Sequence, residues 1–119
     1  MSESVVYQLA KKLAIRIIRL NEYLVNERNE YVMSRQICKS GTSIGANLAE
    51  SKFAQSPLDY KSKLKIAIKE ANETLYWLDL LYDTAYIPQN LYASMSNDVR
   101  TIIGTLVNII NKLEKENHQ

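Results

Sequence analysis

A chain of 119 residues, 46% hydrophobic and 24% charged, has the length and balance of one domain able to bury a core without disulfides or metals. Fifteen Lys and Arg against thirteen Asp and Glu leave a formal charge of +2, too small to argue for nucleic acid by bulk electrostatics alone, so charge distribution has to carry any such reading. One cysteine, Cys38, excludes an internal disulfide and suits a reducing compartment, and the one histidine, His118, sits in a polar tail, so the pair makes no zinc site.

Three Gly and two Pro leave little punctuation for a sheet, and the expected class is all-α. Residues 3–28 place Val5, Leu9, Leu13, Ile17, Leu20 and Leu24 on one helical stripe, widened by Val6, Ala10, Ile18 and Val25. A polar stretch, Asn26 to Tyr31, breaks the pattern, and Ser34 is the expected N-cap of a second helix over 34–54. Ser56-Pro57-Leu58-Asp59 gives an N-cap serine, proline at the first helical position and an acid three after the cap, so a third helix runs over 57–85. Its expected inward residues are Leu64, Ile68, Ala71, Leu75, Leu78 and Tyr82. Pro88 suits the first turn of a fourth helix over 88–115, with Leu91, Met95, Val99, Ile102, Leu106, Ile109 and Leu113 in a heptad-like register and a tail that frays from about Glu114. Three short connections predict a single-domain, antiparallel, up-down-up-down four-helix bundle over 1–119, about 35 to 40 Å long. Ile103, Val107 and Ile110 add a second apolar row to the fourth helix, suited to a subunit contact as well as to a core.

The second helix carries the most unusual pattern. Gln36, Ser40, Ser43, Asn47 and Glu50 recur at spacings of four, three, four and three, forming one polar seam beside Ile37, Gly41, Ile44 and Leu48. Ser, Asn and Gly each give up about 0.5 to 1 kcal/mol of helix propensity relative to Ala, and a tertiary contact must offset that loss. Small side chains permit close backbone approach, and short polar groups held there fix register. Glu70 and Glu73 on the antiparallel third helix are expected to hydrogen-bond Ser43, Asn47 and Glu50, or to face water.

Chemistry is harder to place. Glu50, Glu70 and Glu73 invite a carboxylate-bridged metal centre, but no histidine stands near them and no metal or cofactor is expected. Cys38 and the serines lack a histidine base, so no catalytic residue is assigned and Cys38 reads as a small boundary residue. Gly41 and Gly45 match Gly-x-x-x-Gly in a segment too polar for a membrane dimer. Met1 to Ser4 lead into an amphipathic pattern without signal-peptide organisation, and no apolar run approaches the ~18 residues of a membrane span, so the expected location is cytoplasmic. Two basic ridges remain: Lys61, Lys65 and Lys69 on the third helix, and Lys12, Arg16 and Arg19 on the first. Each reads either as a solvated face or as a phosphate-contacting surface multiplied by oligomerisation. Tyr7, Tyr60 and Tyr92 serve either to stack on bases or to pack at the core boundary.

Ser43-Ile44 followed by Asn47-Leu48-Ala49-Glu50, and later Lys69-Glu70-Ala71-Asn72-Glu73-Thr74 with Tyr76-Trp77-Leu78, resemble two signatures of a bacterial four-helix-bundle family. That family was first noticed as products of intervening sequences in large-subunit ribosomal RNA genes. Ser51 departs from it, standing where the family usually has glycine. The resemblance implies a small cytoplasmic homo-oligomer, a ring of five subunits, without enzymatic activity. A related branch, the accessory protein of diversity-generating retroelements, is more strongly basic and works with a reverse transcriptase and nucleic acid. Together these readings give a non-enzymatic homo-oligomeric interaction protein, with nucleic acid or a nucleic-acid enzyme as partner through the Lys and Arg ridges. In it Ser43, Asn47, Glu50, Glu70, Glu73 and Trp77 organise the contact between helices two and three. The alternative is a structural or protein-partner adaptor without nucleic-acid affinity, and an enzyme comes third.

Overall fold

A computed structural model describes residues 3–117, with side chains over 5–116; Met1, Ser2, His118 and Gln119 lie outside the described residues. Four helices occur in chain order: α1 Glu3–Arg28, α2 Met33–Ser51, α3 Pro57–Asp83 and α4 Gln89–Asn117. Each packs on two neighbours, α1 on α2 and α4, α3 on α2 and α4, so the diagonal pairs are α1 with α3 and α2 with α4. This is the antiparallel up-down-up-down bundle that the apolar stripes and short connections predict.

Val6, Ala10, Leu13, Ile17, Leu20 and Leu24 line the core from α1, Ile37, Ile44 and Leu48 from α2, Leu64, Ala71, Leu78 and Leu81 from α3, and Met95, Val99, Ile102, Leu106 and Ile110 from α4. Several sequence expectations shift by one helical position. Val5, Ile18 and Tyr82 are exposed, while Ala67, Thr74 and Leu81 are buried in α3. The second apolar row of α4 divides: Ile110 joins the core, Ile103 packs against its edge, and only Val107 is exposed, at 39%.

The ends of the helices explain the boundaries. Ser56 caps α3 as its sequence signature predicts, its hydroxyl accepting from the Asp59 amide at 3.0 Å. Ser34 does not cap α2. It lies inside the helix, and the Glu30 carboxylate accepts instead from the amides of Val32 (3.2 Å) and Ser34 (2.8 Å), while the Ser34 hydroxyl donates back to the Glu30 carbonyl (2.8 Å). Asn29 makes this possible: its left-handed φ of 53° ends α1 and turns Glu30 under the start of α2. α2 stops at Ser51 and α3 at Asp83, each short of the expected end, whereas α4 continues to Asn117 without fraying at Glu114. The long dimension is 53 Å, against the expected 35 to 40 Å. That exceeds even α4, whose 29 residues span about 43 Å, so the helices are staggered along the axis.

Arg28 closes one end. Its guanidinium donates to the carbonyls of Ala85 (3.3 Å) and Tyr86 (2.9 Å) and lies 4.9 Å over the Tyr86 ring. Ala85 carries a φ of 65°, a conformation costing a non-glycine residue about 1–2 kcal/mol, and the clamp holds it there.

Candidate functional site

Close approach of α2 to α1 is built from small residues: Gly41 lies directly against Ile17, and Gly45 against Ala10. Toward α3 the polar seam takes a different form from the one the spacing suggests. Ser40 is fully buried, and its hydroxyl meets that of Thr74 across the α2–α3 contact at 2.9 Å. Thr74 also donates to the Glu70 carbonyl at 2.8 Å. Ser43 and Asn47 instead bond within α2, Ser43 Oγ to the Lys39 carbonyl (2.7 Å) and Asn47 Nδ2 to the Ser43 carbonyl (2.8 Å). Glu50 is exposed and pairs with Lys63 on α3 at 3.2 Å. Glu73 accepts from the Trp77 indole at 3.2 Å, one turn along its own helix, while the side chains of Gln36 and Glu70 make no hydrogen bond to another described residue. The expected bonds from Glu70 and Glu73 to Ser43, Asn47 and Glu50 are therefore not the ones formed; Thr74, which reads in the sequence as an ordinary β-branched core residue, supplies the buried polar link.

The two basic ridges stand on diagonal helices, and both lean toward α4. Arg16 donates to Asp98 at 2.7 Å and to Ser94 at 3.1 Å, so it ties α1 to α4 instead of standing free. Arg19 pairs with Glu22 at 2.9 Å within α1, and Lys12 is exposed. On the other side Lys61 and Lys65 both approach Glu114 at 3.9 Å, and Lys69 makes no ion pair with a described residue. Exposed pairs of this kind are worth about 0 to 1 kcal/mol, so the α3 lysines remain available to a stronger anion.

The tyrosines proposed as base-stackers are already engaged. The Lys52 ammonium sits 4.2 Å over the Tyr7 ring. Tyr92 donates to Asp79 at 2.5 Å and stacks on Tyr82 with centroids 4.6 Å apart. The bond to the Asp79 carboxylate raises the Tyr92 pKa above its ordinary value of 10.0. Tyr60 lines a cleft of about 660 Å³ with Leu48, Lys52, Gln55 and Leu64, where α2 turns into α3.

Bundle topology extends across all four helices a sorting of charge that α3 shows along its own length. One half of the bundle comprises residues 3–14, 43–69 and 104–117, and holds nine lysines against five acidic residues. The other, 15–42 and 70–103, holds all five arginines and one lysine against eight acidic residues. Lys11, Lys52, Lys63, Lys112 and Lys115 thus join Lys12, Lys61, Lys65 and Lys69 at the end where α2 turns into α3, although they share no ridge in the linear pattern. Among the described residues no group of three or more His, Cys, Asp or Glu is placed to hold a metal ion, and no helix is long and apolar enough to cross a membrane.

Residues 2–108 match the model of the 23S rRNA-intervening sequence protein family. The chain belongs to that family. A crystal structure of a protein of unknown function from the S23 ribosomal protein family of Bacteroides thetaiotaomicron is similar to it, with 50% identity, a TM-score of 0.92, and coverage of 93% of this chain and 99% of that one. No curated protein matches the chain. Family membership accounts for the two sequence signatures. In the fold they lie on the adjacent antiparallel helices α2 and α3, and Thr74 of the second signature meets Ser40, which precedes the first.

Proposed function

We propose that the protein is a non-enzymatic, self-associating interaction protein of the cytoplasm whose lysine-rich end binds the phosphate backbone of a nucleic acid, alone or alongside a nucleic-acid enzyme. The segregation of nine lysines into one half of the bundle carries this reading. Lysine is a compact, hydrated cation that meets phosphates without dictating base identity, so binding through such a surface is governed by charge and weakly by sequence. Lys61, Lys65 and Lys69 form its edge on α3, and Lys12 stands on α1 beyond α4. Arg16 and Arg19 contribute less than their spacing suggests, because each is already paired with a carboxylate.

Self-association supports the same reading, since a ring of aligned copies, five by family resemblance, would gather the lysine ends onto one rim and multiply weak contacts into avidity. The outer face of α4 fits a contact between copies: Asn97, Thr101, Gly104 and Asn108 are exposed, uncharged and poor helix formers. Within the polar seam, Ser40 through Thr74 and Glu50 through Lys63 are assigned the structural role of holding α2 on α3.

Fluorescence anisotropy with a labelled RNA duplex and a labelled single strand tests the proposal. Binding should be largely sequence-independent and should weaken with salt at a log-log slope of about 0.7 to 0.9 per neutralised phosphate. Replacing Lys61, Lys65 and Lys69 by glutamine should flatten that slope. A wild-type protein that binds neither probe at low salt would instead be an adaptor for protein partners.

A further inference from the structure

α3 is charge-segregated along its length, and contacts inside the chain answer only part of it: Lys63 pairs with Glu50 at 3.2 Å, and Lys61 and Lys65 approach Glu114 at 3.9 Å. Residues 61–69 carry Lys61, Lys63, Lys65 and Lys69 and no acid, whereas 70–83 carry Glu70, Glu73, Asp79 and Asp83 and no base. An isolated helix is stabilised by the reverse order, with acids near its N-terminus, bases near its C-terminus and opposite charges interleaved at i, i+4. α3 has no basic residue in its last turn, which Asp83 closes. Along the outer side of α3, Lys65, Lys69, Asn72, Tyr76, Asp79 and Asp83 are all exposed, with Lys65 and Asp79 at its edge toward α4. Compensation within the chain is slight. Lys65 comes only to 3.9 Å from Glu114, Asp79 accepts from the Tyr92 hydroxyl, and Lys69 and Asp83 make no ion pair with a described residue.

We propose that this stripe docks against the same stripe of a second copy, antiparallel, about a twofold axis. Two lysines four residues apart meet two aspartates four residues apart when the helices run in opposite directions: Lys65 faces Asp83 of the second copy, and Lys69 faces Asp79 of the second copy. The axis then passes between Asn72 and Tyr76, and each of these meets the other across it. An isologous contact repeats every pair, so four ion pairs flank the centre. A parallel arrangement would set lysine on lysine and aspartate on aspartate, which is how the charge pattern selects the antiparallel sense. Tyr76 supplies apolar surface at the centre: it is 55% exposed, and its ring stands edge-on to Trp77 at 4.9 Å.

This pairing rests on the self-association half of the proposed function; it engages Lys65 and Lys69, so in the paired state phosphate contacts fall to the other lysines of that half, Lys61 among them. A twofold contact cannot lie within a ring of odd number, so it joins two free copies or two rings.

Charge exchange across the contact tests it. Lys65→Glu and Asp83→Lys each reverse two of the four pairs and should weaken association at least about tenfold in sedimentation equilibrium at low salt. Mixing the two variants, or combining both substitutions in one chain, sets opposite charges together again and should restore wild-type association. A loss of fold would not be rescued in this way, and unchanged melting of each variant checks that separately. Three outcomes overturn the pairing: a wild-type monomer at hundreds of micromolar, single variants that associate as tightly as wild type, or weakened variants that neither mixing nor combination rescues. In the second case self-association uses another face and the proposed function stands; in the first, both fail.

Discussion

α2 and α4 are built from similarly poor helix formers and put them to opposite use. In α2 a Cβ added at Gly41 would fall 2.7 Å from Ile17 Cγ1 and 2.9 Å from its Cγ2, closer than packed atoms tolerate. In α4 a Cβ added at Gly104 would meet nothing within 4 Å. The serines repeat the contrast. Buried Ser40 in α2 shares a hydrogen bond with Thr74, whereas buried Ser96 in α4 has no hydroxyl partner among the described residues. Low helix propensity in α2 is thus offset by a neighbour inside the chain, and in α4 it is not. The lesson is that a small residue in a helix has no fixed meaning until the space beside it is known.

The sharpest way to break this comparison is Gly41→Ala. Ile17 is fully buried and cannot swing aside, so overpacking should destabilise the fold by about 1–3 kcal/mol in urea unfolding despite the gain in helix propensity. A wild-type midpoint would mean that α1 and α2 separate freely and that the seam is not a packing device. Thr74→Val comes next. It removes the cross-helix hydroxyl and leaves Ser40 with only a 3.4 Å bond to the Ile37 carbonyl, an expected loss of about 1–2 kcal/mol in the same measurement. Gly104→Ala is the smallest and has the opposite sign: thermal melting of the dissociated chain should rise by an amount equivalent to about 1 kcal/mol. If the α4 face meets another copy, the same substitution should lower the assembled mass in light scattering, so stability and assembly move apart.

The fold was largely legible because its signals are local and repeated. Ser56, Pro57 and Asp59 announce the start of α3 within four residues, and the Leu, Ile and Val stripes fix which face of each helix turns inward. Where a helix end depends on a turn, legibility falls. Ser34 looks like a cap, but the carboxylate that satisfies the first amides of α2 comes from Glu30, carried there by the left-handed Asn29. The functional surface was less legible still. Periodicity sets Lys12, Arg16 and Arg19 in one ridge, yet Arg16 reaches Asp98, a residue 82 positions away that no helical repeat connects to it. Conversely, Lys52, Lys63, Lys112 and Lys115 belong to no ridge, and only antiparallel folding brings them to the end that holds Lys61 and Lys65. Thr74 went unrecognised as a polar link for the same reason: its hydroxyl matters only because Ser40 stands opposite.

Arg16 also bears on how the bundle breathes. α1 meets α2 through glycine and alanine at close range, but among the described residues its direct polar tie to the body of α4 is the part-exposed cluster of Arg16 with Ser94 and Asp98. A seam held by an accessible ion pair loosens as ions screen it, while one held by interlocked apolar surface does not. Amide protons along the α1–α4 edge are therefore expected to exchange faster as ionic strength rises, which hydrogen exchange at two salt concentrations would check. The α1–α4 edge is thus a side of the bundle where a charge contact, and not only packing, sets how closely two helices stay together.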